Sequence, residues 1–144
     1  MKNSQFKLID PLKYKDRILE LLLQLNPDKE VNILEPLLVE MCQLSNYTCF
    51  GLFEGEELIG VSTGWTTVRI YCGKQIELDN VIIDSHYQSK GYGKYFMEEI
   101  KHWSLANGYK SIGLNTYVQN SRSHKFYFNE GFKILGFHFE KRMA

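Results

Sequence analysis

The sequence predicts a single α+β domain, residues 1–144, built around a mixed sheet. Two helical patterns come first, a run of β-rich segments separated by turns follows, and strand and helix patterns alternate in the last third of the chain. The β-rich run argues against an all-parallel sheet. The strand–helix–strand unit from Gln75 to Tyr117 requires a right-handed parallel crossover if both strands share a sheet. A length of 144 residues favours one domain.

The first elements carry clear start and stop signals. Residues 6–9 alternate as a short strand does, and Asp10-Pro11 is typical of a helix cap followed by proline at the first helical position. Apolar residues recur at helical spacing from Ile18 to Leu25, and Asn26-Pro27 ends this helix.

A second helix is indicated by the apolar residues from Leu34 to Met41. Pro36 is compatible with this helix only in its first turn, because a proline deeper in a helix lacks the N–H for the next hydrogen bond. The expectation is therefore that Pro36 lies in the first turn, and the residue at which this helix starts stays open.

The remaining elements follow in a regular order. Three strands are predicted at residues 48–53, 58–71 and 75–83, with turns at 54–56 and 72–74. The later elements are predicted as a helix at 91–107 stopped by Gly108, a strand at 111–117, a helix capped by Asn120 that ends at Gly131, and a strand at Phe132–Phe139.

The charge balance excludes some function classes. There are 17 basic and 17 acidic side chains, so the net charge is +0. A nucleic-acid-binding protein usually has a basic surplus, and we therefore expect no nucleic-acid partner.

The four histidines and three cysteines lack metal-ligand spacing, which predicts no metal. Because the cysteines are odd in number and lack close paired spacing, we expect them to be free thiols in a reducing cytosol. Without a secretory signal or a bilayer-length apolar run, the expectation is a cytoplasmic protein with no membrane partner.

A glycine-rich turn is the strongest functional motif. Gln88-Ser89-Lys90-Gly91-Tyr92-Gly93 lies between a predicted strand and a predicted helix. Glycine lets the backbone approach an anion closely, and free N–H groups of the first helical turn can bind phosphate. A plain strand-to-helix turn is the alternative. Lys94-Tyr95 does not complete a P-loop, and Phe96 replaces the third glycine of a dinucleotide-binding loop.

This stretch resembles the acyl-CoA signature Gln/Arg-x-x-Gly-x-Gly/Ala of the GNAT superfamily of N-acetyltransferases. Residues 77–84 resemble the fourth strand of that family, and Asn120-Ser121-Arg122-Ser123, Phe126-Tyr127 and Glu130-Gly131-Phe132 resemble its late helix and the strand after it. The resemblance covers about residues 47–139. It implies a central, mostly antiparallel sheet with a parallel, splayed strand pair, flanked by about four helices.

The resemblance also implies how acetyl-CoA binds. The pantetheine arm would pair with the backbone of the fourth strand at Val81, Ile82 and Ile83, near a bulge, and a backbone N–H near Val81 would polarise the thioester carbonyl. The pyrophosphate would bind to the segment from Gln88 to Lys94. The residues of this segment are Gln88, Ser89, Lys90, Gly91, Tyr92, Gly93 and Lys94.

Tyr127 is the candidate general acid. Asn120, Ser123 and Tyr127 have the spacing i, i+3, i+7 and share one helix face, which would meet the pantetheine and the sulfur. A phenol with an ordinary pKa of about 10 is protonated at neutral pH and can donate to a departing thiolate. The alternative is that Tyr127 only packs, as one aromatic of Phe126-Tyr127-Phe128.

Glu77 is the candidate general base, because some GNAT enzymes keep a glutamate at this place in the fourth strand. Asp79 or a water molecule is the substitute base, and a solvated structural carboxylate is the alternative. Alternation along the strand places Glu77, Asp79 and Val81 on one face and Leu78, Asn80 and Ile82 on the other.

The resemblance therefore predicts an acyltransferase that moves an acetyl group from acetyl-CoA to a primary amine. A small-molecule amine is favoured, ahead of a protein lysine or N-terminus. A non-catalytic acyl-CoA-binding domain and a nucleotide-binding protein are the alternatives from other classes. The identity of the amine, the length of the acyl group and a homodimeric assembly remain open.

Overall fold

A computed structural model describes all 144 residues. The helices are α1 (Lys15–Leu25), α2 (Val31–Cys42), α3 (Tyr92–Ala106) and α4 (Ser121–Asn129). The strands are β1 (Ser4–Leu8), β2 (Tyr47–Glu54), β3 (Glu57–Arg69), β4 (Gly73–Ile83) and β5 (Ser111–Leu114), with short 3-10 turns at Pro11–Tyr14 and Ser85–Tyr87. None of the helices combines the length and the apolar character needed to cross a bilayer.

The chain divides into two compact units, Met1–Gly113 and Leu114–Ala144. The first unit contains the four antiparallel strands and three of the helices. The second unit contains α4 and the chain after it. The prediction of one domain over residues 1–144 stays a prediction.

The start and the end of α1 follow the chemistry that the sequence predicts. The Asp10 carboxylate accepts a hydrogen bond from the Leu12 amide at 3.1 Å, and Pro11 begins the 3-10 turn that leads into α1. The helix ends at Asn26, whose backbone and side-chain N–H groups both donate to the Leu22 carbonyl. The predicted cap and stop are confirmed.

The position of Pro36 in α2 was predicted wrongly. The helix begins at Val31, and Pro36 therefore lies in its second turn. The carbonyl of Glu30 accepts hydrogen bonds from Ile33 and Leu34, which starts the helix before the apolar stripe does. Leu34 and Leu38 are buried in the core, and this burial outweighs the hydrogen bond that the proline cannot donate.

A five-stranded sheet in the order β1-β2-β3-β4-β5 organises the fold. Strands β1 to β4 are antiparallel neighbours. The Lys110 amide donates to the Lys74 carbonyl at 2.7 Å, so β5 starts beside the start of β4 and runs parallel to it. The predicted mixed α+β class, with a mostly antiparallel sheet, a parallel pair and four helices, is confirmed.

Helices cover both faces of the sheet in the first unit. On one face, α1 and α2 pack with Cys49, Val61 and Ile82 in one core cluster. On the other face, α3 contributes Phe96, whose ring lies 6.1 Å from that of Phe6, and Trp103, which contacts Phe50. Such a two-sided core holds the end of β4 and the start of α3 on a rigid base.

In the second unit, α4 begins as predicted and its flanking strands differ. The Asn120 carboxamide oxygen accepts from the Ser123 amide at 3.2 Å, which confirms the cap. Strand β5 ends at Leu114 rather than at Tyr117. The Tyr117 carbonyl accepts from the Asn120 amide, so this part of the chain forms the turn before α4.

The predicted strand Phe132–Phe139 is not formed. None of the five strands of the sheet comes from this segment, and Ile134, Leu135, Phe137 and Phe139 are exposed. Alternating apolar residues favour extended backbone, but a strand exists only where a neighbouring strand supplies hydrogen-bond partners.

Candidate active site

The turn between β4 and α3 has the backbone shape of an anion cradle. Ser89 has φ +62° and Gly91 has φ +88°, both in the left-handed region. Gly91 is the N-cap of α3, and no side chain caps this helix. The backbone N–H groups of its first turn are therefore available to an anion at the N-terminus of α3, and the helix dipole favours a negative charge there. Residues 88–94 thus have the backbone shape that the predicted pyrophosphate site requires, and binding of a pyrophosphate there stays a prediction.

Positive charge lies on both sides of Gly91. Lys90 and Lys94 are exposed, and the Lys90 ammonium lies 6.0 Å from the centre of the Tyr87 ring. The Gln88 side chain donates to the Ile83 carbonyl at 2.9 Å, which fastens the entry of the cradle to the end of β4.

A β-bulge interrupts β4 where the resemblance predicts one. Thr63 pairs with Asp79 and Val61 pairs with Ile82, so a single residue of β3 faces two residues of β4. Asn80, the first of those two, has φ +52°, and its amide hydrogen-bonds to the Asp79 carboxylate at 2.9 Å. Such a bulge turns backbone groups out of the ladder.

The bulge also corrects the predicted faces of β4. Paired residues on antiparallel strands share a face, and Val61 and Thr63 share one because they are two positions apart. Their partners Ile82 and Asp79 therefore lie on the same face. The simple alternation, which separated Ile82 from Asp79, was wrong because the extra residue shifts the period by one.

The end of β4 extends past its outer neighbour, and the Ile83 carbonyl there accepts the Gln88 side chain. Strand β5 has four residues and begins beside Lys74, so it ends well before Val81. The backbone of Val81, Ile82 and Ile83 therefore extends past the neighbouring strand, while Ile82 is buried and the other two are half-buried. Pairing of this edge with a pantetheine arm stays a prediction.

The two candidate bases lie on the sheet face that α1 and α2 share. Glu77 pairs with Trp65 in the register, and its carboxylate lies 3.6 Å from the Arg69 guanidinium. Asp79 is the more exposed of the two carboxylates. Both carboxylates are therefore placed on one face by β4, as the sequence predicts, but each already has a polar partner.

Tyr127, in the second unit, is held by aromatic neighbours. Its ring centroid lies 5.2 Å from that of Phe126 and 5.5 Å from that of Phe132. Burial raises the pKa of the Tyr127 phenol, so it remains protonated at neutral pH. At the start of the same helix, the Ser123 amide donates a hydrogen bond to the Asn120 side chain. The roles predicted for these three residues stay predictions.

A partly buried ion pair that the sequence does not reveal lies beside the cradle. The Asp84 side chain, 4% exposed, follows the last residue of β4 and binds the guanidinium of Arg17 from α1. Asp84 also accepts hydrogen bonds from the amide and the ring of His86, each at 2.9 Å. An aspartate followed by two polar residues is a local turn signal, but nothing in the sequence marks Arg17 as its partner.

The stability of the protein should depend on pH through Asp84. Burial opposes the charged form, but hydrogen bonds from His86 and Arg17 outweigh it and lower the pKa of Asp84 to about 2. Against an unfolded value of about 3.9, the carboxylate stabilises the fold fully above that value, and this stabilisation is lost as the pH falls through about 2.

Asp84→Asn should therefore lower the unfolding free energy at pH 7 by on the order of 2 kcal/mol. Urea unfolding, followed by the fluorescence of Trp65 and Trp103, measures this change at pH 7 and at pH 3. Asp28→Asn is the control, because Asp28 is exposed. An Asp84→Asn protein as stable as the wild type at pH 7 would contradict the assignment.

Known proteins share sequence with this chain. The chain matches the sequence model of the Acetyltransferase (GNAT) family over residues 16–132. It is 27% identical over 105 residues to an uncharacterized N-acetyltransferase, YhdJ, of Bacillus subtilis (strain 168), covering 72% of this chain and 74% of that protein. N-acetylaspartate synthetase of Xenopus tropicalis is 34% identical over 61 residues, which are 42% of this chain and 22% of that enzyme.

Solved structures share the fold. An aminoglycoside N-acetyltransferase, AAC(6')-Iy, in complex with CoA has a TM-score of 0.79 at 15% identity, covering 97% of this chain and 94% of that one. Glucosamine-6-phosphate N-acetyltransferase from Arabidopsis thaliana has a TM-score of 0.70 at 17% identity, covering 98% and 99%. The present chain brings no group of three or more potential metal-ligand side chains together.

Proposed function

Because this chain belongs to the GNAT family of acetyltransferases, we propose that it acetylates the primary amine of a small molecule. It is an acyltransferase, and acetyl-CoA is its co-substrate. The observation that carries the proposal is the uncapped α3 N-terminus at Gly91 together with the bulge at Asn80 in the adjoining strand. The N-terminus of α3 is suited to a pyrophosphate, and the bulge in β4 exposes backbone groups for an acyl-pantetheine arm.

Bound acetyl-CoA supplies an activated thioester. Amides from Ser89 to Lys94 would hold its pyrophosphate, and the outer edge of β4 would orient its pantetheine arm. The Val81 N–H would polarise the carbonyl oxygen as a one-donor oxyanion site while the amine nitrogen attacks the carbonyl carbon. Glu77 or water would accept the proton of the amine, the bond between carbon and sulfur would break, and Tyr127 would donate a proton to the departing sulfur.

The acceptor is proposed to be a cationic small molecule. Glu77 and Asp79 place two carboxylates on the sheet face shared with α1 and α2, and carboxylates attract an ammonium group before it loses its proton. Relatives of the same fold include aminoglycoside acetyltransferases, one in complex with sisomicin, which supports an amine acceptor of this size.

Release of CoA with a panel of acceptors tests the proposal. The panel holds aminoglycosides, polyamines, free amino acids, and peptides with a lysine or a free N-terminus. Turnover with one of the small amines is expected. Turnover confined to peptides would favour a protein acetyltransferase, and tight acetyl-CoA binding without turnover would favour a non-catalytic sensor. Better protection against heat by ATP or NAD than by acetyl-CoA would overturn the cofactor assignment.

Glu77→Gln is expected to lower the turnover number with the preferred amine by about 100-fold. The carboxamide of glutamine cannot accept the proton of the attacking amine. Because it has the same shape as the glutamate side chain, it should leave β4 intact. Steady-state kinetics at saturating acetyl-CoA measure this loss. Asp79→Asn is the comparison, because Asp79 lies on the same face and is the substitute base. A larger loss in the Asp79 variant would transfer the role to that residue, and no loss in either would assign it to water.

A further inference from the structure

A set of charged and phenolic side chains surrounds the entry to the cradle in the first unit. We call Arg17, Glu57, Asp84 and Tyr87 the bracket. The Arg17 guanidinium donates to the Leu58 carbonyl at 2.8 Å, approaches the Glu57 carboxylate at 3.5 Å and binds the Asp84 carboxylate. The Tyr87 hydroxyl donates to Glu57 at 2.8 Å. The Arg17 guanidinium thus connects α1, β3 and Asp84 at one end of the turn that precedes Gln88, and Glu57 links it to Tyr87 at the other end.

The segment Asp84–Tyr87 is held at both ends by these contacts. Asp84 is fixed by Arg17 and by its own amide, which donates to the Ile59 carbonyl at 2.7 Å. The neighbouring Ser85 amide donates to the Gln24 side chain of α1 at 2.9 Å. Tyr87 is fixed by Glu57. The cradle begins at the next residue, so its position follows from that of the bracket.

The α3 side of the cradle is tied to the same region. The Tyr92 hydroxyl donates to Glu54 at 3.2 Å, and its ring lies 5.5 Å from the Tyr87 ring in an edge-to-face arrangement. Glu54 and Glu57 flank the two-residue turn between β2 and β3. Carboxylates of one hairpin therefore bind a tyrosine directly before the cradle and a tyrosine within it.

The cost of burying Asp84 indicates a role beyond stability. Removing a carboxylate and a guanidinium from water is expensive, and a well-packed apolar pair of the same volume is often as stable. An ion pair, unlike an apolar contact, fixes direction, and a planar guanidinium with several acceptors allows few alternative geometries. An ion pair of this kind is suited to holding the loop before the cradle in a single conformation.

We propose that Arg17, Glu57 and Asp84 are positioning residues for acetyl-CoA. Their contacts with Asp84–Tyr87 fix the turn that comes before the cradle in the chain. They hold the entry of the cradle in its binding conformation before acetyl-CoA binds. The cradle therefore loses less conformational entropy on binding. The inference rests on the proposed function, because it takes the cradle to be the pyrophosphate site.

Affinity for CoA, measured by calorimetry, tests the bracket directly. Arg17→Met should raise the Kd for CoA by about tenfold, since a looser cradle loses affinity on ordering. Arg17→Lys should give a smaller rise, because lysine keeps the charge without the planar fork. Lys15→Met is the matched control. Lys15 lies on the same helix as Arg17. Its substitution breaks the 2.8 Å ion pair with Glu35 of α2 and should leave the Kd unchanged.

Two further readouts separate positioning from general destabilisation. Ile100→Val removes a buried methyl group from α3 and should lower stability without changing the Kd for CoA. In the absence of CoA, amides of residues 85–94 should exchange hydrogen faster in Arg17→Met than in Lys15→Met. At saturating acetyl-CoA, Arg17→Met should keep its kcat within about twofold of the wild type while the KM for acetyl-CoA rises.

The outcomes distinguish the two proposals. An unchanged Kd and unchanged exchange in Arg17→Met, with a wild type that binds CoA, would overturn the bracket alone. An equal rise of the Kd in Ile100→Val would also overturn it, because the effect would then be one of stability. A wild-type protein that binds no CoA would overturn the proposed function and the positioning role together.

Discussion

Gly91→Glu is expected to abolish CoA binding, with an affinity loss of at least about 100-fold. Gly91 has φ +88°, a region that costs an ordinary L-residue about 1–2 kcal/mol. The added carboxylate would also stand at the positive end of α3, where it would compete with the pyrophosphate for the amides. Calorimetry with CoA measures the loss.

Two control variants separate strain from charge at this position. Gly91→Ala introduces the backbone strain alone, and a Cβ there would meet only the Met1 methyl group, at 3.3 Å. Its affinity loss should be much the smaller one. Gly108→Glu places the same substitution at φ +80° at the other end of α3, where a Cβ meets nothing within 4 Å. Its CoA affinity should match the wild type. Retained affinity in Gly91→Glu would remove the phosphate assignment.

Tyr127→Phe is expected to lower the turnover number by about 100-fold or more while the Kd for CoA stays within about twofold. The substitution removes the hydroxyl and keeps the ring that packs on Phe126 and Phe132. Because burial raises the pKa of this phenol, the wild-type group carries its proton throughout the neutral range and is ready to donate it.

Tyr117→Phe is the control for this loss. Tyr117 lies in the same unit and is exposed, so removal of its hydroxyl should leave turnover unchanged. Single-turnover measurements with bound acetyl-CoA locate the effect of Tyr127→Phe in the chemical step. Turnover equal to the wild type would take the acid role from Tyr127 and leave it a packing residue.

Local chemistry made the helix ends and the cradle predictable from the sequence. Asp10 caps the 3-10 turn before α1, and Asn120 caps α4, with side-chain oxygens that accept from amides two and three residues later. Gly91 and Gly108 adopt positive φ at the two ends of α3, as glycine favours. The physical cause of each feature lies within a few neighbouring residues, so no knowledge of the fold was needed.

Pairing between distant segments set the features that the sequence analysis missed or misjudged. The register with β3 decides that two residues of β4 bulge at Asn80. The segment Phe132–Phe139 has the alternation of a strand and none of the pairing. Alternation reports which side chains suit a sheet, but the ladder depends on backbone groups far away in the chain.

By itself, the sequence determined the cradle, the caps and the family of this protein, because those depend on short patterns of glycine, polar caps and apolar spacing. Only the tertiary structure decided that Arg17 of α1 meets Asp84 at the entry of the cradle, 67 residues further along the chain. A buried charge needs a partner, and the folded chain alone determines which one lies within reach.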